Sequence, residues 1–122
     1  MKIANLEPEM ESLEIAFKIV EKGEPREMVS GKRVADALVG DETGSILMML
    51  WEEKIEKVEV GKSYKMENGQ TNVFVGSLRL DAGRYGTLKE TDEDVGKVNT
   101  KNNLSEKKYV WEMGPSFGRR WK

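Results

Sequence analysis

Residues 13–20 read LEIAFKIV, with Leu13, Ile15, Phe17 and Ile19 apolar at every second position, the period of a strand that buries one face. A loop rich in charge and turn formers follows (GEPREMVSGKR), and residues 34–40 then predict a second strand with Ala35, Ala37 and Val39 on one face. Asp41-Glu42-Thr43-Gly44 reads as a hairpin turn, because Asp and Thr side chains bond the turn's own backbone and Gly accepts positive φ without steric cost. Residues 45–51 form the third strand. Residues 52–60 are charged, with Ile55 and Val58 three apart, the narrow apolar stripe of a short helix that plugs one end of a barrel. Alternation resumes over residues 63–74, broken at Asn68-Gly69, where a bulge switches the inward register. After Gly76, residues 77–82 make a fifth strand with Leu78 and Leu80 inward.

Five short strands with a helix between the third and fourth is the element order of the OB fold, an all-β, partly open Greek-key barrel. An SH3-like barrel or a ferredoxin-like domain would need a different helix count or position. The chain of 122 residues has room for one core, burying roughly 60 to 70% of its unfolded surface. The expected organisation is an OB-fold nucleic-acid-binding domain over residues 1–92 and a C-terminal extension over residues 93–122, partly linker and basic and aromatic at its end.

The third strand is apolar on both parities. If Ile46, Met48 and Leu50 fill the barrel, Leu47, Met49 and Trp51 point onto the outer face of the second and third strands, where this fold holds oligonucleotides. A Trp exposed there is a stacking platform; the other reading is that the C-terminal tail covers the face or that Trp51 caps the core. Phe74 has the parity opposite to Val73, and Arg79 lies outward between Leu78 and Leu80, so two rings and a guanidinium share a face that can hold bases and an intervening phosphate. For Arg79 the competing reading is a surface ion pair with an acidic neighbour.

In these segments the chain resembles the single-OB-fold single-stranded-DNA-binding proteins of archaea and their relatives in the eukaryotic sensor-of-single-stranded-DNA complex. The resemblance is carried by IANLEPEMESLEI, VGDETGSILMMLW, VGKSYKMENG and NVFVGSLRLDAGRYGTL, collinear over residues 3 to about 90, with a weaker echo in Asn103-Leu104-Ser105-Glu106. It implies binding of single-stranded DNA without catalysis, with Trp51 and Phe74 matching the family's stacking aromatics. Gln70 stands where these relatives often present Trp or Tyr, and Val75 replaces a frequent Lys, which implies weaker binding or contacts from elsewhere.

Those further contacts are expected from Lys32 and Arg33, beside Arg26 in the loop before the second strand, and from Arg84 with Lys89 after the fifth. Tyr85 either stacks on a base or packs over the barrel rim. The net charge of −2 conceals an asymmetry: residues 1–96 carry 13 Lys/Arg and 20 Asp/Glu, a balance of −7, whereas residues 97–122 carry 7 and 2, a balance of +5. In the tail Tyr109, Trp111, Phe117 and Trp121 are interleaved with base, and three readings stay open: Val110 and Trp111 pack back on the barrel as a strand or cap, Arg119, Arg120 and Trp121 extend the DNA path, or the segment docks a replication or repair protein. Residues 96–103 read as a polar loop or linker.

With no Cys and no His, disulfides, thiol chemistry, imidazole catalysis and the common transition-metal sites are excluded, and no cofactor or metal is expected. Glu52 and Glu53 read as a solvated helix face rather than an acid/base pair, so no enzyme is expected. The opening MKIANLEPEM lacks the apolar run of a signal peptide and no stretch is long enough to span a bilayer. The expectation is a cytoplasmic, nucleoid-associated monomer. Its partner is single-stranded DNA, with RNA as a possible substitute. The alternative is a protein-interaction subunit of a replication or repair assembly with little DNA affinity of its own.

Overall fold

The computed structural model describes residues 1–83 and 85–106, together with the backbone of residues 111–113 and 119–121. Among the described residues nine strands follow in chain order: β1 (Leu13–Lys22), β2 (Arg26–Glu27), β3 (Arg33–Asp41), β4 (Gly44–Trp51), β5 (Ser63–Phe74), β6 (Ser77–Asp81), β7 (Thr87–Glu90), β8 (Trp111–Met113) and β9 (Arg119–Trp121). One α-helix, α1 (Lys54–Lys57), lies between β4 and β5. The barrel runs β1-β3-β4-β6-β5 and closes through a second pairing of β1 with β5. The five strands expected from the sequence are β1, β3, β4, β5 and β6, and the OB fold stands. No helix among the described residues is long and apolar enough to cross a membrane.

Closure depends on β1 serving two neighbours. Its first half pairs with β5 from Leu13↔Gly69 to Lys18↔Ser63, and its second half pairs with β3 from Lys18↔Gly40 to Lys22↔Ala37. Irregularities between Leu13 and Ile15 and between Ile19 and Glu21 bend the strand, as bulges do at barrel corners. Opposite the first, Asn68 takes φ 56 and the inward residues change from Tyr64 and Met66 to Gly69 and Thr71. This is the register switch expected at Asn68-Gly69.

The interior is filled by Ile15, Phe17 and Ile19 from β1, Ile46, Met48 and Leu50 from β4, and Leu78 and Leu80 from β6, all fully or almost fully buried. Each such side chain contributes on the order of 1.5 to 3 kcal/mol of transfer free energy. Ile55 of α1 and Val58 after it are also buried and plug one end, as their spacing predicts.

The turn after β3 is a junction as well as a hairpin. Asp41, 2% exposed, accepts the Thr43 N–H (2.8 Å) and hydroxyl on Oδ1, and the Ile3 N–H on Oδ2 (3.1 Å). Thr43 Oγ1 accepts the Ala4 N–H at 3.0 Å, so a 3-10 turn at Ile3–Asn5 is fastened there and carries Ile3 into the core. From the other side the Glu42 N–H donates to Val95 O (3.0 Å), Asn99 N–H to Asp41 O (2.9 Å) and Ser45 N–H to Asn102 O (2.9 Å).

Residues 95–106 are therefore a strap on the barrel, so that of the two readings of 96–103 the loop holds and the linker does not. The strap runs so close to β3 that a Cβ on Gly40 would lie 2.7 Å from Val98 Cγ1 and 2.5 Å from Gly44 O. It ends in a second 3-10 turn, Leu104–Glu106, over the parallel seam between β4 and β6, which is only three residue pairs long. There Ser105 Oγ accepts the Leu47 N–H at 2.8 Å and donates to Leu78 O, while Ser77 Oγ donates to Ser105 O at 2.6 Å. One hydroxyl thus bridges the two strands where their own ladder stops.

β8 and β9 pair with each other as a separate two-stranded sheet, with Trp111 opposite Trp121, so they add no strand to the barrel. The expected roles of Tyr109, Val110 and Phe117, and those of the side chains of Trp111, Arg119, Arg120 and Trp121, lie outside the described residues.

At the β5–β6 hairpin Val75 and Gly76 both take positive φ, 50 and 78, as a type I′ turn requires of its central residues. The first of these positions suits Asn, and a β-branched residue there is strained. Val75 is 84% exposed, so packing does not compensate. Val75→Asn is expected to stabilise the fold by about 1 kcal/mol, read as a rise of several degrees in Tm; a fall would show that the valine makes contacts worth more than its strain.

Candidate nucleic-acid interface

Trp51 ends β4 half-buried, with its indole held at the edge: Nε1 donates to Asp81 Oδ2 at 3.2 Å. Asp81 is 5% exposed. It also accepts Asn72 Nδ2 on Oδ2 (3.2 Å) and the Gly83 N–H on Oδ1 (2.7 Å), and these donors offset the cost of burying its charge. The pairings Gln70↔Asp81 and Met49↔Asp81 bring β4, β5 and β6 to this carboxylate. Trp51 lines a groove of about 490 Å³ with Ser30, Lys32, Glu52, Lys54 and Gly83, large enough for a small ligand. A ring fixed at its edge loses little further freedom when a flat partner stacks on it.

Phe74 and Arg79 form the second part of the face. The Arg79 guanidinium carbon lies 5.6 Å from the Phe74 ring centroid, within cation–π range, and its Nε donates to Ser77 Oγ at 3.2 Å. Its Nη1 lies 2.9 Å from Asp36 Oδ1, and Asp36 Oδ2 lies 3.3 Å from Arg26 Nη1. The ion-pair reading of Arg79 is the one the free protein adopts. By register Asp36 sits beside Met49 and Arg79 beside Leu47, so the bridge crosses β4 between those residues.

This corrects the expectation for Met49. Its parity is outward, but at 4% exposed it offers no area to a base. Leu47, half-buried, donates its N–H to the strap at Ser105. Of the three outward residues of β4, only Trp51 borders the open groove.

Gln70 is half-buried and, with Gly83 and Tyr85, lines a smaller groove of about 160 Å³ that also touches Glu11, Ser12 and Asn68. Gly83 borders both grooves. Tyr85 is 75% exposed, which rules out packing over the rim. Arg33 is held by Glu56 at 2.8 Å; that hydrogen bond raises the guanidinium above its ordinary pKa and lowers the Glu56 carboxyl below its own. Lys32 stands next to the larger groove without an ion pair among the described residues. Arg84 lies outside the described residues.

The structure thus places Trp51 and Lys32 on one groove and Gln70 and Tyr85 on a second, with Gly83 common to both, brings Phe74 and Arg79 together, and ties Arg33 to α1. Asp36, Asn72 and Asp81 were missed as site residues. The alternation that placed Arg79 outward also places Asp81 outward, two residues on. Nothing local marks Asp36, whose partners come from β2 and β6.

The sequence profile described as "Single-stranded DNA binding protein Ssb-like, OB fold" matches residues 6–90. Relatives include the single-stranded DNA binding protein Ssb of Saccharolobus solfataricus, 33% identical over 96 residues, covering 76% of this chain and 65% of that protein. Replication factor A of Methanothermobacter thermautotrophicus is 31% identical over 102 residues, covering 77% of this chain and 13% of that protein. The chain therefore spans about two thirds of the first relative and a small part of the second. Among solved structures, a hypothetical protein from Arabidopsis thaliana superposes with TM-score 0.77 at 27% identity over 97% of this chain and 89% of that one. A replication factor A related protein from Methanobacterium thermoautotrophicum superposes with TM-score 0.64 at 19% identity over 75% and 90%, a likeness of fold.

Proposed function

We propose that this chain, which belongs to the Ssb-like family of OB-fold single-stranded-DNA-binding proteins, binds single-stranded DNA along the path from Trp51 to Tyr85, without catalysis. The observation that carries this reading is the Trp51 indole, fixed by Asp81 and bordering a groove that also holds Lys32. One base stacks on Trp51 and another on Phe74. Tyr85 takes a third at the far end, and Gln70 offers an amide to a base edge. Lys32, Arg33 and Arg84 follow the backbone. The name of the Saccharolobus relative supports the ligand class.

The setting is DNA replication, recombination or repair inside the cell. The protein acts as a monomer, RNA can take the place of DNA, and partner proteins dock on the C-terminal extension. A second reading is favoured by charge: residues 1–96 carry a balance of −7, Arg33 is paired with Glu56, and Arg26 and Arg79 share the one carboxylate of Asp36. In that reading the outer face is a protein-docking surface of a replication or repair assembly with little DNA affinity.

Tryptophan fluorescence during titration with oligo-dT at several salt concentrations separates the two, with duplex DNA of equal length as control. Quenching by the single strand is expected, with a log–log salt slope of about −2 if three side chains each neutralise a phosphate, and the duplex is expected to leave the signal unchanged. Trp111 and Trp121 also fluoresce, so the Trp51→Phe variant assigns the signal. No quenching of the parent at low salt would sink the DNA reading in favour of the docking surface.

A further inference from the structure

At the centre of the proposed DNA face lies a carboxylate held by two guanidinium groups. Asp36 Oδ1 is 2.9 Å from Arg79 Nη1 and Oδ2 is 3.3 Å from Arg26 Nη1. Two arginines converging on one anion is the chemistry of a phosphate site. The Arg26 arm adds little stability, since an exposed ion pair contributes about 0 to 1 kcal/mol and the Arg26 side chain is 40% exposed.

Arg79 is different: its side chain is 12% exposed, and a guanidinium so far out of water needs a counter-anion. Asp36 supplies the charge but not a full set of hydrogen bonds. The 2.9 Å approach is not aligned as a hydrogen bond, and neither Arg79 Nη1 nor Asp36 Oδ1 has another partner among the described residues. The site holds an anion while leaving a buried donor unmet. Its position is also apt. Arg79 lies against the Phe74 ring. Asp36 pairs with Met49, two residues from Trp51 on the same face of β4, so the site falls between the two stacking positions.

We propose that Asp36 is an intramolecular stand-in for a backbone phosphate. It fills an anion site between Arg26 and Arg79 that the strand occupies when it binds, and so lowers affinity for single-stranded DNA. This rests on the single-strand-binding reading above. The incoming phosphate displaces the carboxylate, meets Arg79 Nη1 directly, and takes Arg26 as its second donor. In the free protein Asp36 holds both arginines and offsets one of their two positive charges.

The test is oligo-dT titration of the full chain and of Asp36→Asn across a salt series, with thermal melting of both. The variant is expected to bind about 3- to 10-fold more tightly at low salt. Its salt slope should steepen by roughly 0.7, because the substitution removes one negative charge from the site. Adding Arg79→Gln to Asp36→Asn should remove most of the gain. Equal or weaker binding by a folded Asp36→Asn would overturn the proposal and make Asp36 an orienting group for Arg79. Should Asp36→Asn fail to fold, Asp36→Ser takes its place; loss of the melting transition in both would make Asp36 a structural counter-ion and overturn it equally. A parent that binds with no gain in the variant defeats this proposal alone, whereas failure of parent and variants alike to bind defeats the DNA reading and this with it.

Discussion

Trp51→Ala is expected to weaken single-stranded DNA binding by about 1 to 3 kcal/mol, roughly 5- to 150-fold, the largest single effect at the site. Two changes combine in it: the stacking surface goes, and Asp81, 5% exposed, loses one of its three donors. A buried carboxylate short of a partner destabilises the fold by on the order of 1 kcal/mol, so melting should accompany the titration. Trp51→Phe divides the contributions, because it keeps a ring and removes the indole N–H. Retained affinity with a small fall in Tm would assign binding to the ring and the hydrogen bond to its orientation. If Trp51→Ala bound oligo-dT as tightly as the parent, Trp51 would have no place in the site.

Ser105→Ala should be the most destabilising small substitution on the strap. Its hydroxyl satisfies the Leu47 N–H and the Leu78 carbonyl at once. β4 and β6 share only three residue pairs, so neither group has an obvious substitute. Two poorly satisfied backbone groups cost together about 2 to 4 kcal/mol, a drop of roughly 10 to 15 °C in Tm for a domain of this size. Ser105→Thr, which keeps the hydroxyl, should recover part of that loss if the extra methyl is accommodated. A Tm for Ser105→Ala within a degree or two of the parent would show that water replaces the hydroxyl and that the seam needs no latch.

The barrel was legible in the chain because its strands bury one face and alternate. LEIAFKIV, the parity of Ile46, Met48 and Leu50, and the break at Asn68-Gly69 all correspond to observed burial and register. Strands β2 and β7, of two and four residues, are too short for a period to show. The attachment of the strap is not legible in the chain for another reason. Much of its attachment to the barrel is by backbone and hydroxyl hydrogen bonds, and polar composition that looks like a linker serves that purpose equally well.

The site divided in the same way. Trp51, Phe74 and Arg79 were placed by parity. Whether an outward residue is free depends on what crosses above it, and that is set by pairings distant in sequence. The meeting of Asp36 with Arg79 over β4 accompanies the burial of Met49, and the strap takes up the Leu47 N–H. The motif Asp41-Glu42-Thr43-Gly44, prominent in the resemblance, acts here on architecture, joining the 3-10 turn at Ile3–Asn5 to the strap.

The position of the latch also sets an order of events during synthesis. Strands β1 to β6 emerge from the ribosome before residue 105, and nascent chains fold as their segments become available. The parallel contact between β4 and β6 joins segments remote in the chain and is slow to form on entropic grounds. Until Ser105 arrives, the seam beneath the DNA face has only its three residue pairs to hold it. On the proposed single-strand-binding reading, the spacing of Trp51 from Phe74 is therefore expected to settle late, with competence to grip a strand following release of the strap from the exit tunnel.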